Sequence, residues 1–196
     1  MIHAIGLTFG ILGTIGIVVT AVGAPKIEIT PILIYTSCLV AMLGLSAAYN
    51  LWPVSPTKWF LRRFDHSAIY LMIAGTYTPF LALMKTGMAS LTLTIGIWSS
   101  AIVGMVLKLV LPGRFDRFSI VLCLLLGWSG VVAFESLTSA VPSTGLWLLA
   151  AGGILYSAGT LFHVWHRLPF HNAIWHGFVL LAASCHYSAI FITFGD

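Results

Sequence analysis

A carboxylate and an imidazole stand side by side where a long apolar segment of the chain begins. Asp65 and His66 follow several basic residues and precede a run rich in aliphatic and aromatic side chains. Ionisable groups at the edge of such a segment are costly unless they face a polar interior, so they often mark a functional site. Simpler roles stay open: Asp65 could cap the start of a helix, and His66 could be a hydrogen-bonding residue at a membrane interface.

Two further pairs of polar residues have helical spacing. Ser46 and Asn50 are four residues apart, and so are Asn172 and His176. Residues four apart lie on the same face of an α-helix, so each pair can present two polar groups to one neighbouring surface. His171 lies roughly 140° from His176 around the helix axis and does not share that face.

The composition of the chain leaves little material for a water-exposed surface. Of its 196 residues, 59% are hydrophobic and only 7% are charged, whereas an ordinary soluble domain has about 25% charged residues. Lipid must therefore cover most of the surface, and membrane lipids are the expected partners. The net charge of +4 comes from cations in short loops rather than from one basic face, so no nucleic-acid binding is expected.

The apolar runs predict an all-α membrane protein, a bundle of seven transmembrane helices in a single domain of residues 1–196. A span needs about 20 apolar residues, and segments that are apolar all round form helices in lipid because their backbone groups must be satisfied internally. Splitting the chain at charges and turn residues gives the segments Ile2–Ala24, Ile29–Tyr49, His66–Leu83, Ser90–Leu111, Phe118–Phe134, Gly145–Phe162 and Asn172–Phe194.

The distribution of Lys and Arg between the loops predicts the orientation of the bundle. The side of the membrane with more of these cations is expected to be cytoplasmic, so the N-terminus is predicted to be cytoplasmic and the C-terminus, at Asp196, outside. Seven cations fall in loops on the N-terminal side and two on the other: the seven are Lys58, Arg62, Arg63, Lys108, Arg114, Arg117 and Arg167, and the two are Lys26 and Lys85.

This topology brings polar residues of separate helices to the cytoplasmic end of the bundle. The second and sixth predicted helices end there, and the third and seventh begin there. One polar cavity is expected near this face, surrounded by Ser46, Asn50, Asp65, Asn172 and His176. Five of the seven histidines fall within a few residues of this face: His66, His163, His166, His171 and His176.

Three stretches of the chain resemble a known family. The segment RRFDHSAIYLMIAGTYTPF closely resembles the hallmark of the hemolysin III family, the bacterial branch of the progestin and adipoQ receptor superfamily. GILYSAGTLF and LPFHNAIWHGFVLLAASCHY resemble its last two helices. The resemblance spans nearly the whole chain and implies seven helices with a cytoplasmic N-terminus in a bacterial inner (plasma) membrane. It also implies a zinc ion held by three histidines beside an aspartate and a serine.

The chain departs from the family pattern at two positions. Ser46 and Asp65 match the family's serine and aspartate, and His176 matches its last histidine. Asn50 and Asn172 stand where the family has the other two histidines. The paired change suggests a coherent variant of the site.

Zinc is therefore a doubtful cofactor for this chain, because an amide oxygen is a poor zinc ligand beside imidazole. His171 and His66 are the candidates to replace the missing ligands. The metal site that the resemblance implies would otherwise consist of His176, Asn50, Asn172 and Asp65.

Two classes of function fit these residues. The resemblance implies a hydrolase of lipid amides or esters, in which zinc would activate a water, Asp65 would act as a base or orient that water, and Ser46 would stabilise the oxyanion. The alternative is a non-enzymatic protein that senses or transports through its polar core and supports membrane homeostasis. The family name adds cytolysis, the formation of pores in foreign membranes, which a bundle of apolar helices does not favour.

Overall fold

The computed structural model describes residues 1–23, 28–84, 88–114 and 116–195. All regular structure in these ranges is helical, as the sequence predicts. The α-helices are α1 (Ile2–Gly23), α2 (Ile29–Leu51), α3 (Pro56–Leu83), α4 (Met88–Val110), α5 (Asp116–Trp128), α6 (Phe134–Ala140), α7 (Ser143–Val164) and α8 (His171–Phe194), with a 3-10 helix at Ser129–Ala133 between α5 and α6.

Six helical segments of the described chain are long and apolar enough to cross a membrane. Large apolar side chains such as Phe9, Val19 and Trp147 are exposed along the outer surface of the bundle. A soluble protein would not present so much contiguous apolar surface to water, so the chain is an integral membrane protein. The six segments are Ile2–Gly23, Ile29–Leu51, Ser90–Val110, Phe118–Ala140, Ser143–Val164 and His171–Phe194.

The third helix begins ten residues before its predicted start at His66. Ser55 caps α3 by accepting a hydrogen bond from the backbone N–H of Lys58 at 3.3 Å, and Pro56 occupies the first turn, where its missing N–H costs nothing. The charged stretch before Asp65 is therefore helical as well. Asp65 lies inside α3 rather than at its start, and it does not cap the helix.

The fifth predicted segment was wrong at its far end. The apolar segment runs to Ala140 rather than Phe134, and it is interrupted by the 3-10 helix at Ser129–Ala133. Hydropathy cannot detect such an interruption, because the side chains remain apolar while the backbone changes its hydrogen-bonding pattern.

A tyrosine from α3 supports the backbone at this interruption. The Tyr77 hydroxyl donates a hydrogen bond to the carbonyl oxygen of Gly127 at 2.6 Å and accepts one from the N–H of Gly130 at 2.8 Å. No water is available in a hydrocarbon layer to satisfy these backbone groups, so a protein side chain must do it.

Helices that follow one another in the chain pack side by side in the pairs α1–α2, α2–α3, α3–α4 and α7–α8, and α1 also contacts α8. Small residues permit close approach: a Cβ added at Gly75 would lie 2.6 Å from Cβ of Cys38 on α2, and one added at Gly159 would lie 2.8 Å from Cβ of Phe178 on α8. The α1–α8 contact closes one side of the bundle and brings the start of α1 to the start of α8.

Part of the predicted topology concerns residues beyond the described ranges. Lys26, Lys85 and Asp196 lie outside the described residues, as does Ala24, the predicted end of the first segment.

Replacing Tyr77 with Phe is expected to lower the stability of the bundle. The Tyr77→Phe variant leaves the Gly127 carbonyl and the Gly130 N–H without their partner, and an unsatisfied buried polar group costs about 1–3 kcal/mol. The free energy of unfolding, measured by denaturant titration in detergent micelles, should fall by that amount. The control is Tyr49→Phe, which also removes one phenol oxygen but keeps the ring contacts of Tyr49 with His66 and Lys58. Equal stability of the two variants would contradict the role assigned to Tyr77.

Candidate functional site at the polar end of the bundle

A histidine in the first turn of α1 contacts both α2 and α8. Nδ1 of His3 lies 3.3 Å from the hydroxyl oxygen of the buried Ser46. The ring of His3 packs edge to face on the ring of His176, with centroids 4.3 Å apart and an interplanar angle of 76°. These contacts follow from the fold, because α1 and α8 begin where α2 ends.

Asp65 joins this group through Ser46. The carboxylate of Asp65 is close enough to the hydroxyl of Ser46 to interact with it, and the positive charge of Arg62 acts on Asp65 from the preceding turn of α3. Ser46 therefore stands between an imidazole and a carboxylate, each of which can take part in moving its proton.

Two more histidines surround His176. His66 and His163 are close enough to His176 to interact with it electrostatically. The ring of His66 also contacts Tyr49, at 6.4 Å between centroids, and the ring of His163 contacts Trp175, at 5.1 Å. We call the whole group the polar cluster; its members are His3, Ser46, Asp65, His66, His163 and His176.

The two predicted asparagines have other surroundings. The side-chain amide of Asn50 donates a hydrogen bond to the backbone carbonyl of Ser46 at 2.9 Å, so it is turned back onto its own helix. Asn172 is exposed. His171 packs edge to face on His166, with centroids 5.3 Å apart. Of the predicted site residues, the structure thus joins Ser46, Asp65, His66 and His176, and it gives Asn50, Asn172 and His171 no described contact with Asp65 or His176.

The donor groups of the polar cluster do not fit a zinc site. In the part of the chain that the structure describes, no three or more His, Cys, Asp or Glu side chains are placed so that they could hold a metal ion. Zinc needs about four ligands in a tetrahedral arrangement, and the rings of His3 and His176 pack edge to face on each other. The zinc site implied by the resemblance is therefore not assembled by these residues.

An apolar cavity of about 340 Å³ begins beside the polar cluster. Its lining includes Met42, one helical turn from Ser46, and Ile69, one turn from Asp65. Val179 lines it as well, one turn beyond His176 on α8. Three helices thus carry a polar cluster residue and, about one turn away, a residue of the cavity wall. The cavity therefore lies about one helical turn from the cluster.

The cavity also reaches the outer surface of the bundle. Trp128, Val131 and Phe134 line it and are exposed on the outside. They belong to the interrupted segment from α5 to α6, whose 3-10 turn lies at this point. A lipid chain in the surrounding bilayer therefore has a lateral route to the cavity.

His3 is the functional candidate that the sequence analysis missed. The topology predicted from the sequence names five histidines at the cytoplasmic end, and His3 is not among them. The same topology that placed the others also places the start of the first helix at this end, so the signal was present in the sequence.

Comparison with known proteins gives consistent matches. A sequence profile described as Haemolysin-III related matches residues 1–187. The Hemolysin-3 homolog of Bacillus subtilis (strain 168) is 47% identical over 124 residues, which cover 63% of this chain and 58% of the relative. Hemolysin-3 of Bacillus cereus is 48% identical over 116 residues, covering 59% of this chain and 53% of the relative.

A human protein is a more distant match. The Monocyte to macrophage differentiation factor of Homo sapiens is 31% identical over 165 residues, which cover 80% of this chain and 67% of the relative. No solved structure matches this chain. The alignments with the two Bacillus proteins cover little more than half of their length.

Restoring two imidazoles is expected to make the chain bind zinc more tightly than the parent does. In the double variant Asn50→His and Asn172→His, both new side chains lie about one helical turn from a cluster residue, and three imidazoles with a water form a competent zinc site. Zinc content after dialysis, measured by mass spectrometry, should rise towards one ion per chain. The double variant Asn50→Gln and Asn172→Gln is the control. Stoichiometric zinc in the parent, with no gain in the variant, would show that other residues already hold the metal.

Proposed function

The chain belongs to the haemolysin III family, and on that premise we propose that it hydrolyses an ester or amide bond of a membrane lipid at the polar cluster. One observation carries the proposal: an apolar cavity that reaches the lipid-facing surface lies about one helical turn from the polar cluster on α2, α3 and α8. A lipid is the class of molecule whose apolar chain fits such a cavity while its polar bond stays beside ionisable groups. The volume of about 340 Å³ falls in the usual range of small-ligand sites, roughly 300–1,000 Å³.

The proposed reaction uses the residues that meet Ser46. Asp65 takes a proton from a water molecule, whose oxygen bonds to the carbonyl carbon of the lipid. The hydroxyl of Ser46 donates a hydrogen bond to the oxygen that becomes negative. The bond from the carbonyl carbon to the alcohol or amine then breaks, and the leaving group takes the proton from Asp65. His3 is a positioning residue, because its Nδ1 is in contact with Ser46.

No metal takes part in this proposed reaction. The wider superfamily implies zinc, but the described donor groups do not converge as a zinc site requires. The reaction is therefore assigned to the carboxylate and the hydroxyl, with the lipid chain held by the cavity.

A second candidate is lipid sensing without turnover. It is favoured by the same mismatch between the polar cluster and a zinc site, since a family member that has lost catalysis could keep its cavity. The two candidates share the bound lipid and differ in whether its ester or amide bond is broken.

We further propose that α3 is a seventh transmembrane helix and that the N-terminus is cytoplasmic, in a bacterial inner membrane. With 28 residues, α3 extends about 42 Å at 1.5 Å per residue, which exceeds the thickness of a hydrocarbon core, about 30 Å. Its charged first turns would stand at the cytoplasmic surface, and the cation bias of the loops supports the same orientation.

Replacing the proposed base is expected to abolish most of the hydrolysis. The purified protein in lipid nanodiscs should cleave a fluorogenic umbelliferyl ester of palmitic acid and leave the acetic ester nearly untouched, because only the longer chain fills the cavity. The Asp65→Asn variant should lower kcat/KM by about 10²–10⁴-fold, and Ser46→Ala by about 10²–10³-fold. Initial rates of fluorescence increase measure both.

The control for this experiment is Ser184→Ala. Ser184 is an exposed serine of α8 whose hydroxyl bonds only the Leu180 carbonyl of its own helix, so its replacement should leave the rate unchanged. Thermal melting of each variant checks that the bundle is folded. Full activity in Asp65→Asn would refute the proposed base, and binding of palmitate without any turnover would favour the sensing candidate.

The orientation is tested with alkaline phosphatase, which is active only outside the cytoplasm. A fusion after Asp196 should be active in cells, and a fusion at Gly113, in the loop between α4 and α5, should be inactive. The reverse pattern would overturn either the orientation or the span assigned to α3, and equal activity at the two positions would contradict the three spans between Gly113 and Asp196.

A further inference from the structure

We propose that the cavity selects a lipid chain that carries a hydroxyl group near its middle, and that Tyr156 is the residue that recognises this hydroxyl. The inference rests on the proposed function, since it takes the cavity as the site of the lipid chain, and it names the class of lipid. The observations that carry it are a small set of polar groups on an otherwise apolar wall.

Tyr156 and His186 form this polar region of the cavity wall. Both line the cavity, and their rings are 5.5 Å apart between centroids, tilted by 56°. The wall is otherwise largely apolar, and the other hydroxyls that line it are already bonded to backbone carbonyls; they belong to Thr76, Tyr77, Ser157 and Thr160. A lipid chain without oxygen would leave these two groups facing hydrocarbon, where polar groups need a hydrogen-bond partner.

The hydroxyl of Tyr156 makes no hydrogen bond to any residue that the structure describes. Nearby, the hydroxyl of Tyr35 is fully enclosed and also lacks a hydrogen-bond partner among the described residues, and it is close enough to Tyr156 to interact with it electrostatically. Buried hydroxyls are usually satisfied by protein or bound groups. The phenol that faces the cavity therefore has capacity for a ligand.

The hydrogen bond that His186 makes through one ring nitrogen leaves its other ring nitrogen as an acceptor. Its Nε2 lies 3.3 Å from the carbonyl oxygen of Leu149. Because a carbonyl only accepts, Nε2 must carry the proton in this bond, and Nδ1 of the neutral ring is then an acceptor. Gly152 leaves room for the imidazole ring, because a Cβ at this position would collide with the Cδ2 and Nε2 atoms of His186.

The position of this region along the helices sets where the ligand's hydroxyl must lie. His186 is ten residues beyond His176 on α8, about 15 Å along the helix, and Tyr156 is seven residues before His163 on α7, about 10 Å. A lipid with its ester or amide bond at the polar cluster would thus meet Tyr156 about 10–15 Å along its chain. This is near the middle of a common long-chain fatty acid.

Ricinoleate and oleate are a matched pair of probes for this inference, because they differ by one hydroxyl near the middle of the chain. Their dissociation constants for the full chain in nanodiscs can be measured by displacement of a fluorescent fatty acid. Ricinoleate should bind about tenfold more tightly than oleate, the effect of one well-formed hydrogen bond. The Tyr156→Phe variant should remove this preference and leave the affinity for oleate unchanged.

The control variant is Tyr187→Phe, which removes the phenol oxygen that bonds the Gly13 carbonyl at 2.8 Å, away from the cavity lining. It should keep the preference for ricinoleate. Equal affinities of the parent for the two acids would overturn the inference and leave the proposed hydrolase standing. If neither acid binds, both proposals fail; a preference for ricinoleate without cleavage of any lipid ester would support the inference and refute only the hydrolase.

Discussion

The requirement that polar backbone groups be satisfied without water governs this structure more than any single contact. In lipid, an unpaired N–H or carbonyl has no solvent partner, so helices run nearly without interruption. At the exception between α5 and α6, the hydroxyl of Tyr77 reaches across from α3 and bonds the backbone of Gly127 and Gly130. That interruption lies beside the apolar cavity, so one tyrosine links the stability of the bundle to the shape of its interior.

The same requirement explains where the chemistry is placed. Ionisable side chains are tolerated at the ends of the helices or facing one another, and the polar cluster meets both conditions. Ser46 stands between His3 and Asp65, so its hydroxyl has polar neighbours from two other helices. The hydrocarbon wall begins about one turn further in, at residues such as Met42 and Ile69. The boundary between polar and apolar surroundings is thus sharp, which is the arrangement that a lipid with one polar end requires.

Much of the fold could be predicted from the sequence because long apolar runs have few structural solutions in lipid, and α1, α2, α4, α7 and α8 begin or end within a few residues of the expected positions. The long start of α3 was missed because hydropathy does not register a charged helix, and the 3-10 turn depends on a distant tyrosine. Within the site, the roles of Ser46, Asp65 and His176 as members could be predicted because these residues occupy positions of the family motif. The contact of His3 with His176 depends on the packing of α1 against α8, which no local pattern specifies.

The contact between His3 and His176 also constrains how the protein is made. The first helix leaves the ribosome long before the eighth. His3 is therefore in the membrane before its partner His176, which is synthesised more than 150 residues later. Until α8 docks on α1, Ser46 and Asp65 lack one wall and remain accessible to water and lipid headgroups. The site is therefore complete only when α8 has packed against α1 and closed the bundle. A chain arrested during insertion has the reactive side chains but lacks the surroundings in which they can act.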